Sequence, residues 1–381
     1  MKKTPSEMPL MEVQSGAIVL CHPHMPAHAI DEVTDTLRSR WIGQGPKVER
    51  FEKQFSEKFA AGQTAIAVGS GTDALHLAYI LADISDGDEV VVPVFTCTAT
   101  NIPLLYQRAK VVFADVQRTT LNIDVEHVRR LVNERTKAIV CVPYGGLPCD
   151  MDELSAIGKE FGIPVIDDAA HAVGATYKGK PIACLSEFTM FSFQAIKHIT
   201  TGDGGMLIMR DGSLAEKAKR VRWFGIDRSA KQLGIWENDI TEIGYKYQMT
   251  DIAAAMGLAA LEEFPKTIHL RKQLLAAYEA GLAGIPGISL MGAGYKDREH
   301  AAWLCTVLVE DRVKFQKKLR EHQIESNQMH YRNDRYSIFG GRRSDLPNMD
   351  AVEDKYLVLP LHTKMTLGDV ERVCSVIKSG W

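Results

Sequence analysis

The sequence predicts an α/β protein with a mostly parallel central sheet, followed by a smaller α+β unit. Three observations support this fold class. Short apolar runs alternate with longer amphipathic segments from about residue 60 to residue 210, as in proteins that alternate strands and helices. The pattern becomes helical from Thr250 to about Leu282, and a second, shorter alternation starts at Trp303 after a break rich in glycine and proline. We expect a large domain over residues 1–265 and a small domain over residues 266–381.

The individual elements follow from the positions of the apolar residues. Apolar runs bounded by turn residues predict the strands Thr64–Val68, Glu89–Val92, Lys110–Val116, Lys137–Pro143, Pro164–Asp168, Phe188–Phe193 and Gly205–Met209. Amphipathic stretches between them predict the helices Thr72–Ile84, Val125–Glu134 and Met151–Phe161. The second alternation predicts the strands Trp303–Glu310, Ile324–His330 and Tyr356–Pro360 and the helices Val313–His322 and Leu367–Lys378. The uncharged run from Val90 to Tyr106 contains prolines and predicts a buried strand and a loop rather than a membrane span.

Composition excludes several classes of protein. The 381 residues include 45 Lys and Arg against 48 Asp and Glu, so the net charge is −3, without the basic footprint of a nucleic-acid binder. The seven cysteines are scattered without Cys-x-x-Cys spacing, so neither a disulfide framework nor a zinc ribbon is expected. Residues 1–16 contain no apolar stretch of signal-peptide length. We expect a cytoplasmic protein that binds neither nucleic acid, nor a membrane, nor a metal ion.

The first candidate site is a turn of small residues between a predicted strand and a predicted helix, Gly69-Ser70-Gly71-Thr72-Asp73. A helix N-terminus offers free N–H groups and the positive end of a dipole, so it can hold a phosphate. The turn matches neither the GxxxxGK[ST] nor the GxGxxG pattern, so ATP and NAD are not its expected ligands. Alternatively, Ser70 or Thr72 is simply the cap of the helix.

The second candidate is the pair of aspartates that ends an apolar strand, Asp167 and Asp168. Ligands of open α/β sheets bind beyond the carboxyl ends of the strands. A carboxylate in such a crevice needs a cationic partner to stay ionised. Alternatively, one aspartate caps the next segment while the other is solvated.

The third candidate is Lys197, which follows a strand ending in Ser192 and is flanked by Ile196 and Ile199. Apolar surroundings lower the pKa of a lysine and make it a nucleophile toward aldehydes, although most lysines are merely solvated. Together, a phosphate cradle, a carboxylate at a strand end and a partly buried lysine are what pyridoxal 5′-phosphate (PLP) requires. In that case Lys197 forms the Schiff base and later transfers the proton, while Asp168 keeps the pyridine nitrogen protonated.

With these motifs, the sequence resembles the sugar aminotransferases of the DegT/DnrJ/EryC1/StrS family over nearly its whole length. The resemblance rests on the segments Trp41-Ile42-Gly43-Gln44-Gly45-Pro46-Lys47-Val48, Gly87-Asp88-Glu89-Val90-Val91-Val92-Pro93, Asp168-Ala169-Ala170-His171, Phe191-Ser192-Phe193 through Lys197 to Gly204-Gly205, and Gly244-Tyr245-Lys246-Tyr247-Gln248-Met249-Thr250-Asp251. It implies the three-layer type I fold of PLP transferases. It also implies PLP as the cofactor, with pyridoxamine 5′-phosphate as an intermediate form.

The resemblance implies a role for each matching position. The catalytic residues would be Lys197, Asp168 and His171, the last as a contact to the cofactor ring or its 3-hydroxyl. Further cofactor contacts would be Gly71, Thr72, Asp73 and Ser192 at the phosphate, Cys97 over the ring, and Lys246 at the phosphate of the neighbouring subunit in a homodimer with shared sites. Substrate contacts would be Trp41, Gln44, His330, Arg332 and Asn333. Arg335 is a further candidate for the phosphates or sugar hydroxyls of the substrate. Two alternatives stay open: Phe95 instead of Cys97 covers the ring, and the arginines Arg332 and Arg335 belong to a solvated charged loop.

The implied activity is transfer of an amino group from L-glutamate to a keto carbon, by family frequency C4, of a nucleotide-linked keto-deoxy sugar, for polysaccharide such as O-antigen. A dehydratase of the same family carries histidine in place of the cofactor lysine, whereas here the position holds Lys197 and the histidine is His198. A non-catalytic, cofactor-binding regulator is disfavoured because Lys197, Asp168 and Ser192 are all present. A nicotinamide oxidoreductase would need a glycine fingerprint that is missing.

Overall fold

A seven-stranded mixed sheet forms the centre of the computed structural model, which describes residues 15–228, 234–237 and 239–381. Residues 1–14, within the segment expected to contain no signal peptide, lie outside the described residues. The strands are β1 (Thr64–Val68), β2 (Glu89–Pro93), β3 (Lys110–Ala114), β4 (Thr136–Cys141), β5 (Val165–Asp168), β6 (Phe188–Ser192) and β7 (Gly205–Met209). Their order across the sheet is β1-β7-β6-β5-β4-β2-β3, and within this sheet only β7 runs against the other strands.

Helices cover both faces of the sheet. The α-helices with both ends in the described residues are α1 (Ala29–Ser39), α2 (Pro46–Phe59), α3 (Gly71–Leu81), α4 (Thr98–Tyr106), α5 (Val125–Leu131), α6 (Met151–Phe161), α7 (Ala215–Arg222), α8 (Asp251–Leu282), α9 (Arg312–Glu321), α10 (Pro347–Val352) and α11 (Leu367–Lys378). Along β7, Met206 and Ile208 belong to a buried cluster that includes phenylalanines of α2, while Leu207 and Met209 belong to a cluster on α3. Successive strand residues point to opposite faces, so the sheet lies between two helical layers. The predicted three-layer α/β fold is confirmed.

A smaller antiparallel sheet forms after α8. It consists of β8 (Ile288–Leu290), β9 (Cys305–Val309) and β10 (Tyr356–Leu359). Helix α8 crosses the predicted domain boundary at residues 265 and 266 without a break. Its first half contributes Leu258 and Phe264 to the core of the large sheet, and its second half contributes Leu274 and Tyr278 to the core of the small sheet. The division into two domains stays a prediction.

Most predicted elements are present, with ends that differ by a few residues. The prediction of a strand over Ile324–His330 is wrong. This segment makes only single bridges, from Ile324 to Ile18 on one side and from Asn327 to Val358 on the other, so no ladder can extend along it. The remaining short strands are Phe95–Thr96 with Tyr331–Arg332, and Thr176–Tyr177 with Lys180–Pro181 and Arg298–Glu299.

The uncharged run from Val90 to Tyr106 also differs from its prediction. Where a loop is expected after the strand, the structure has helix α4, which contains Pro103. In the described parts of the chain, no helix has the length and apolar character needed to cross a membrane.

Candidate active site

The carboxyl ends of five parallel strands surround one cavity. It encloses about 280 Å³ and is lined by residues that follow β1, β2, β4, β5 and β6. Ligands of open α/β sheets bind at this edge. Among the predicted site residues, those lining the cavity are Gly71, Thr72, Cys97, Asp168, His171, Ser192, Lys197 and His330.

Lys197 lies half-buried on the loop that follows β6. Its Nζ is 3.6 Å from the ring centroid of Trp303. Desolvation by burial lowers the pKa of Lys197 to about 7, although the nearby Asp168 opposes the shift. The direction of this shift agrees with the expectation for Lys197, whose role as the cofactor lysine stays a prediction. About half of such amines are unprotonated at neutral pH, and the unprotonated amine is the form that attacks an aldehyde.

Asp168, the last residue of β5, presents a buried carboxyl to the cavity. Its Oδ2 accepts a 2.6 Å hydrogen bond from Thr100 Oγ1, and its Oδ1 accepts one of 3.3 Å from the N–H of Ala170. Burial raises the pKa of Asp168, while these hydrogen bonds and the charge of Lys197 act against the rise. A cation in the cavity, such as a protonated ring nitrogen, would stabilise the ionised carboxylate further.

Asp167 is buried next to Asp168 but does not line the cavity. Cys141 Sγ lies 3.8 Å from its Oδ1, and its Oδ2 has no hydrogen-bond partner in the described part of the chain. Burial and the adjacent Asp168 raise the pKa of Asp167 well above its ordinary value, which favours the neutral form of this carboxyl. The alternative with one solvated aspartate is therefore wrong, because both are buried and one of them faces the cavity.

Three stacked rings form one wall of the cavity. The ring centroids of His171 and Trp303 are 3.9 Å apart with 22° between their planes, and those of His171 and His330 are 5.2 Å apart with 2° between planes. Desolvation lowers the pKa of His330 to about 3 and that of His171 well below its ordinary value, and the charge of Lys197 adds to both shifts. Both histidines are therefore neutral at pH 7. Nδ1 of His171 is buried without a partner among the described residues, so it is free to contact a bound group.

The start of α3 and the end of β6 form another wall. Ser70 is the N-cap of α3, and its hydroxyl accepts a 3.1 Å hydrogen bond from the N–H of Asp73. At a helix start, the N–H groups of Gly71 and Thr72 have no partner inside the helix. A Cβ on Gly71 would lie 3.0 Å from Cβ and 3.2 Å from Oγ of Ser192, so a larger residue at position 71 would crowd the side chain of Ser192. Ser70 can therefore cap the helix while the N–H groups of Gly71 and Thr72 stay available to an anion.

Asp73 differs from its prediction. It does not line the cavity, and its N–H is engaged by the Ser70 hydroxyl. Burial raises the pKa of its carboxyl to about 6. Ser70 caps the helix by accepting from Asp73, and Ser70 rather than Asp73 lines the cavity.

Of the two candidates for covering a cofactor ring, Cys97 lines the cavity and Phe95 does not. Phe95 is fully buried, with its ring centroid 5.0 Å from that of Tyr144 and 4.9 Å from that of Tyr356. The structure therefore favours Cys97.

Arg332 is a structural residue, contrary to the predicted substrate contact. Its side chain is 0% exposed, and Nε lies 2.6 Å from Asp334 Oδ1. Nη2 donates to the other oxygen of Asp334 at 2.7 Å, and Nη1 pairs with Asp350 and Glu353. Because all three nitrogens are engaged inside the fold, Arg332 cannot reach a ligand in the cavity.

Asn333 is also buried away from the cavity, so its predicted substrate contact is wrong. Its Nδ2 donates to the carbonyl of Thr96 at 2.7 Å, and its Oδ1 accepts from Asn101 at 2.9 Å. It thereby joins the C-terminal region to α4. The solvated-loop alternative holds only for Arg335, which is exposed with its guanidinium 4.7 Å from the ring centroid of Tyr331.

Trp41, Gln44 and Lys246 lie outside the cavity of their own chain. Trp41 and Gln44 line a separate hollow of about 460 Å³ beside α7. Lys246 Nζ donates to Gln248 Oε1 at 3.2 Å and lies 5.3 Å from the ring centroid of Phe224. Their roles in a site shared with a neighbouring subunit stay predictions.

Sequence reasoning missed Trp303 and Thr100. The sequence predicts Trp303 only as the first residue of a strand and places Thr100 in a loop. Trp303 contacts a lysine more than a hundred positions away, and Thr100 orients an aspartate 68 positions away. No local pattern marks either residue, because both act through tertiary contacts.

These residues fit PLP. The cofactor needs an amine for its aldehyde, an anion for its ring nitrogen, and N–H and O–H donors for its phosphate. Lys197, Asp168 and the segment Ser70-Gly71-Thr72 with Ser192 offer these groups around one cavity.

Comparison with known proteins agrees with this chemistry. The family model for the DegT/DnrJ/EryC1/StrS aminotransferase family matches residues 23–378. The spore coat polysaccharide biosynthesis protein SpsC of Bacillus subtilis is 34% identical over 378 residues, covering 93% of this chain and 95% of that protein. The UDP-4-amino-4-deoxy-L-arabinose–oxoglutarate aminotransferase of Shewanella sediminis is 32% identical over 376 residues, covering 94% of this chain and 96% of that protein.

A solved structure with the same fold is Spr1654 of Streptococcus pneumoniae, described as a proposed sugar aminotransferase. Its PLP-form matches with a TM-score of 0.88 and 29% identity, covering 95% of this chain and 98% of the other. Its PMP-form matches with a TM-score of 0.88 and 30% identity, covering 94% and 98%. The predictions of family, fold, aminotransferase class and cofactor are thereby confirmed. The chain belongs to the DegT/DnrJ/EryC1/StrS aminotransferase family and is a PLP-dependent aminotransferase of the type I fold.

Proposed function

We propose that this enzyme transfers the amino group of L-glutamate to C4 of a nucleotide-linked keto-deoxy sugar. The observation that carries the proposal is the presence of Lys197 and Asp168 at one cavity, with the pKa of Lys197 lowered to about 7. The relative from S. sediminis supports the substrate class, since its name contains a 4-amino sugar nucleotide and oxoglutarate, the keto acid that glutamate becomes. The name of SpsC supports a place in polysaccharide biosynthesis.

The residues of the chain divide the work of the reaction. When bound, PLP supplies an electron sink for the carbanion that amino transfer requires. Nζ of Lys197 would hold the cofactor, and as a free amine it would move the proton to and from the reacting carbon. The carboxylate of Asp168 holds the proton at the ring nitrogen, and Thr100 fixes the direction of that carboxylate. Ser192 and the start of α3 bind the phosphate.

We further propose a homodimer in which each site receives residues from both subunits. Several large apolar side chains are exposed, including Trp41, which lines the hollow beside α7, at 56%, Trp236 at 75% and Ile243 at 79%. Exposed apolar groups of this size are typical of a protein interface when they form one patch. Burying them against a second copy would bring Trp41, Gln44 and Lys246 to the partner's cavity.

The geometry gives less support to the dehydratase. A histidine would have to replace the lysine, but His198 does not line the cavity. Its Nε2 is 2.7 Å from the carbonyl oxygen of Ala301, and burial lowers its pKa well below the ordinary value. A regulator without activity would have no need of an amine with a lowered pKa.

The decisive experiment combines absorbance with reductive trapping. The full chain supplied with PLP should show a visible band that borohydride abolishes, and peptide mapping should find the cofactor mass on Lys197. L-glutamate alone should also remove the band in a transaminase. Lys197→Ala should bind PLP without a covalent adduct, while Lys180→Ala, which changes an exposed lysine, should behave as wild type. An adduct on any other lysine would refute the assignment.

The acceptor is tested separately. A panel of nucleotide-linked keto sugars is incubated with the enzyme and L-glutamate, and the products are identified by NMR. We expect a 4-amino sugar nucleotide and stoichiometric 2-oxoglutarate. Amination at C3, or turnover only with free keto acids, would contradict this part of the proposal.

A further inference from the structure

Arg271 is a buried arginine with an unusual set of partners. Among the described residues, the buried arginines are Arg222, Arg271 and Arg332. Arg222 pairs with Glu52 at 2.7 Å, and Arg332 pairs with an aspartate at 2.6 Å. Within the described part of the chain, no carboxylate pairs with Arg271, and burial lowers its pKa to about 10, so it is still charged at neutral pH.

The guanidinium of Arg271 donates to three main-chain carbonyls instead. It reaches from the middle of α8 to the carbonyl oxygens of Ala302 at 2.9 Å, Trp303 at 2.8 Å and Leu361 at 2.9 Å. Apolar residues of similar volume often stabilise a fold more than a buried charge does. Stability alone is therefore a poor explanation for this arginine, whereas the fork of donors is well suited to fixing backbone geometry.

The backbone that Arg271 holds is strained. Ala302 has a φ of 53°, in the left-handed region that a residue with a Cβ rarely adopts. Its N–H donates to Nδ1 of His300 at 2.7 Å. The indole of Trp303, which follows directly, donates from Nε1 to the carbonyl of Ile196 at 3.1 Å. Such conformations persist where surrounding contacts fix them, and they are frequent at functional sites.

We propose that Arg271 is a positioning residue: by fixing the turn at Ala302, it holds the indole of Trp303 against Lys197 and His171. The indole then keeps water from Nζ of Lys197 and supports the stacked histidine. The proposal rests on Lys197 as the cofactor lysine of the proposed function. The role of Arg271 is indirect, since this residue does not line the cavity.

Other titratable groups also act on Lys197 and must stay constant in any test. Those that face it from the surrounding segments are Cys21, Cys97, Asp168, His171, His198 and His330. All of them are retained when Arg271 or Trp303 is replaced. Arg271→Lys also retains the positive charge, so any change in Lys197 then reports geometry.

The test measures the reactivity of Lys197 in the full chain after PLP has been removed, so it does not depend on turnover. Competitive acetylation across pH 5–10, followed by peptide mass spectrometry, gives the midpoint at which Lys197 loses its proton. In Arg271→Lys we expect the midpoint to rise by about one pH unit, because water reaches Nζ when the indole is released. Trp303→Leu should give a similar rise. The double variant should shift no further than Trp303→Leu alone, since both changes act through the same ring.

Arg372→Lys is the matched control. Arg372 also donates to two main-chain carbonyls, those of Gly16 and His322, at 2.6 Å each. It does not line the cavity, and it is distant in sequence from the segments that do. Its replacement should leave the Lys197 midpoint unchanged.

An unchanged midpoint in folded Arg271→Lys, or additive shifts in the double variant, would overturn the proposal. If Arg271→Lys does not fold, Trp303→Leu still tests it, because an unchanged midpoint there removes the function assigned to the indole. Failure of borohydride trapping at Lys197 would instead refute the proposed function, so the two failures can be told apart.

Discussion

Thr100 Oγ1 donates a 2.6 Å hydrogen bond to Oδ2 of Asp168. The same threonine accepts, at its main-chain carbonyl, a 2.8 Å hydrogen bond from the hydroxyl of the buried Tyr79. Helix α3 thus supports helix α4, and α4 orients the carboxyl at the end of β5. The direction of the carboxylate is set by an element that carries no recognisable motif.

This support predicts graded losses of activity. Asp168→Asn should lower kcat on the order of 10³-fold, because an amide cannot hold the proton at the ring nitrogen. Thr100→Val should lower kcat about tenfold, as expected for the loss of a group that orients a reacting residue. The matched control is Thr189→Val, which removes a buried hydroxyl that has no partner among the described residues. Steady-state kinetics with circular dichroism as a folding check measures both effects, and full activity in Thr100→Val would contradict the role of this hydrogen bond.

The lowered pKa of Lys197 predicts how PLP uptake depends on pH. The amine is protonated below about pH 7 and free above it. Uptake of PLP by the cofactor-free chain, followed by stopped-flow absorbance, should therefore rise about tenfold from pH 6 to pH 8 and then level off. Asp168→Asn should shift the midpoint to lower pH, because the anion that raises the pKa of Lys197 is gone. A rate that keeps rising beyond pH 9 would indicate a lysine with an ordinary pKa.

The buried ion pair of Arg332 predicts a loss of stability rather than of substrate binding. Arg332→Met should lower the free energy of unfolding by about 3–5 kcal/mol, since it leaves the carboxylate of Asp334 buried without its partner. Urea titration measures the change. Arg342→Met is the control: Arg342 is 56% exposed and contacts Asp350 and Glu353, so its loss should cost less than about 1 kcal/mol. A higher KM with unchanged unfolding would restore Arg332 as a substrate contact.

Shared sites predict complementation between inactive subunits. Lys197→Ala and Lys246→Ala are each expected to be inactive as homodimers. After mixing, unfolding and refolding, half of the dimers should be mixed, and one site in each would have both lysines, so about a quarter of wild-type activity should return. Mass spectrometry under native conditions confirms that mixed dimers are present. Their presence without activity would show that Lys246 does not serve the partner's site.

The residues that sequence reasoning found correctly belong to local patterns. Asp168 ends one strand and His171 follows it, and Lys197 follows another strand after Ser192, so strand–loop spacing alone brings them to the same edge of the sheet. The carboxyl ends of parallel strands lie at one edge of the sheet, regardless of the loops that connect the strands. The sequence alone is therefore enough to place Asp168 and Lys197 in the same site.

The errors arise where the partner lies elsewhere in the chain. Arg332 in isolation has the character of a phosphate ligand, and only the fold reveals that Asp350 and Glu353 of a later segment face it. Similarly, the alternation around Ile324 is typical of a strand, but the segments beside it, at Ile18 and Val358, each form only a single bridge with it and no continuous ladder. Hydrogen-bond partners of this kind depend on tertiary packing, which periodicity does not describe.

The contact between Gly71 and Ser192 brings two distant parts of the chain together without a gap. A hydrogen atom, not a methyl group, fills the space between them. One added carbon would lie 3.0 Å from Cβ of Ser192, so the side chain of Ser192 would have to give way by a few tenths of an ångström. The spacing between the start of α3 and Ser192, where we expect the phosphate to bind, therefore depends on the absence of a Cβ at position 71.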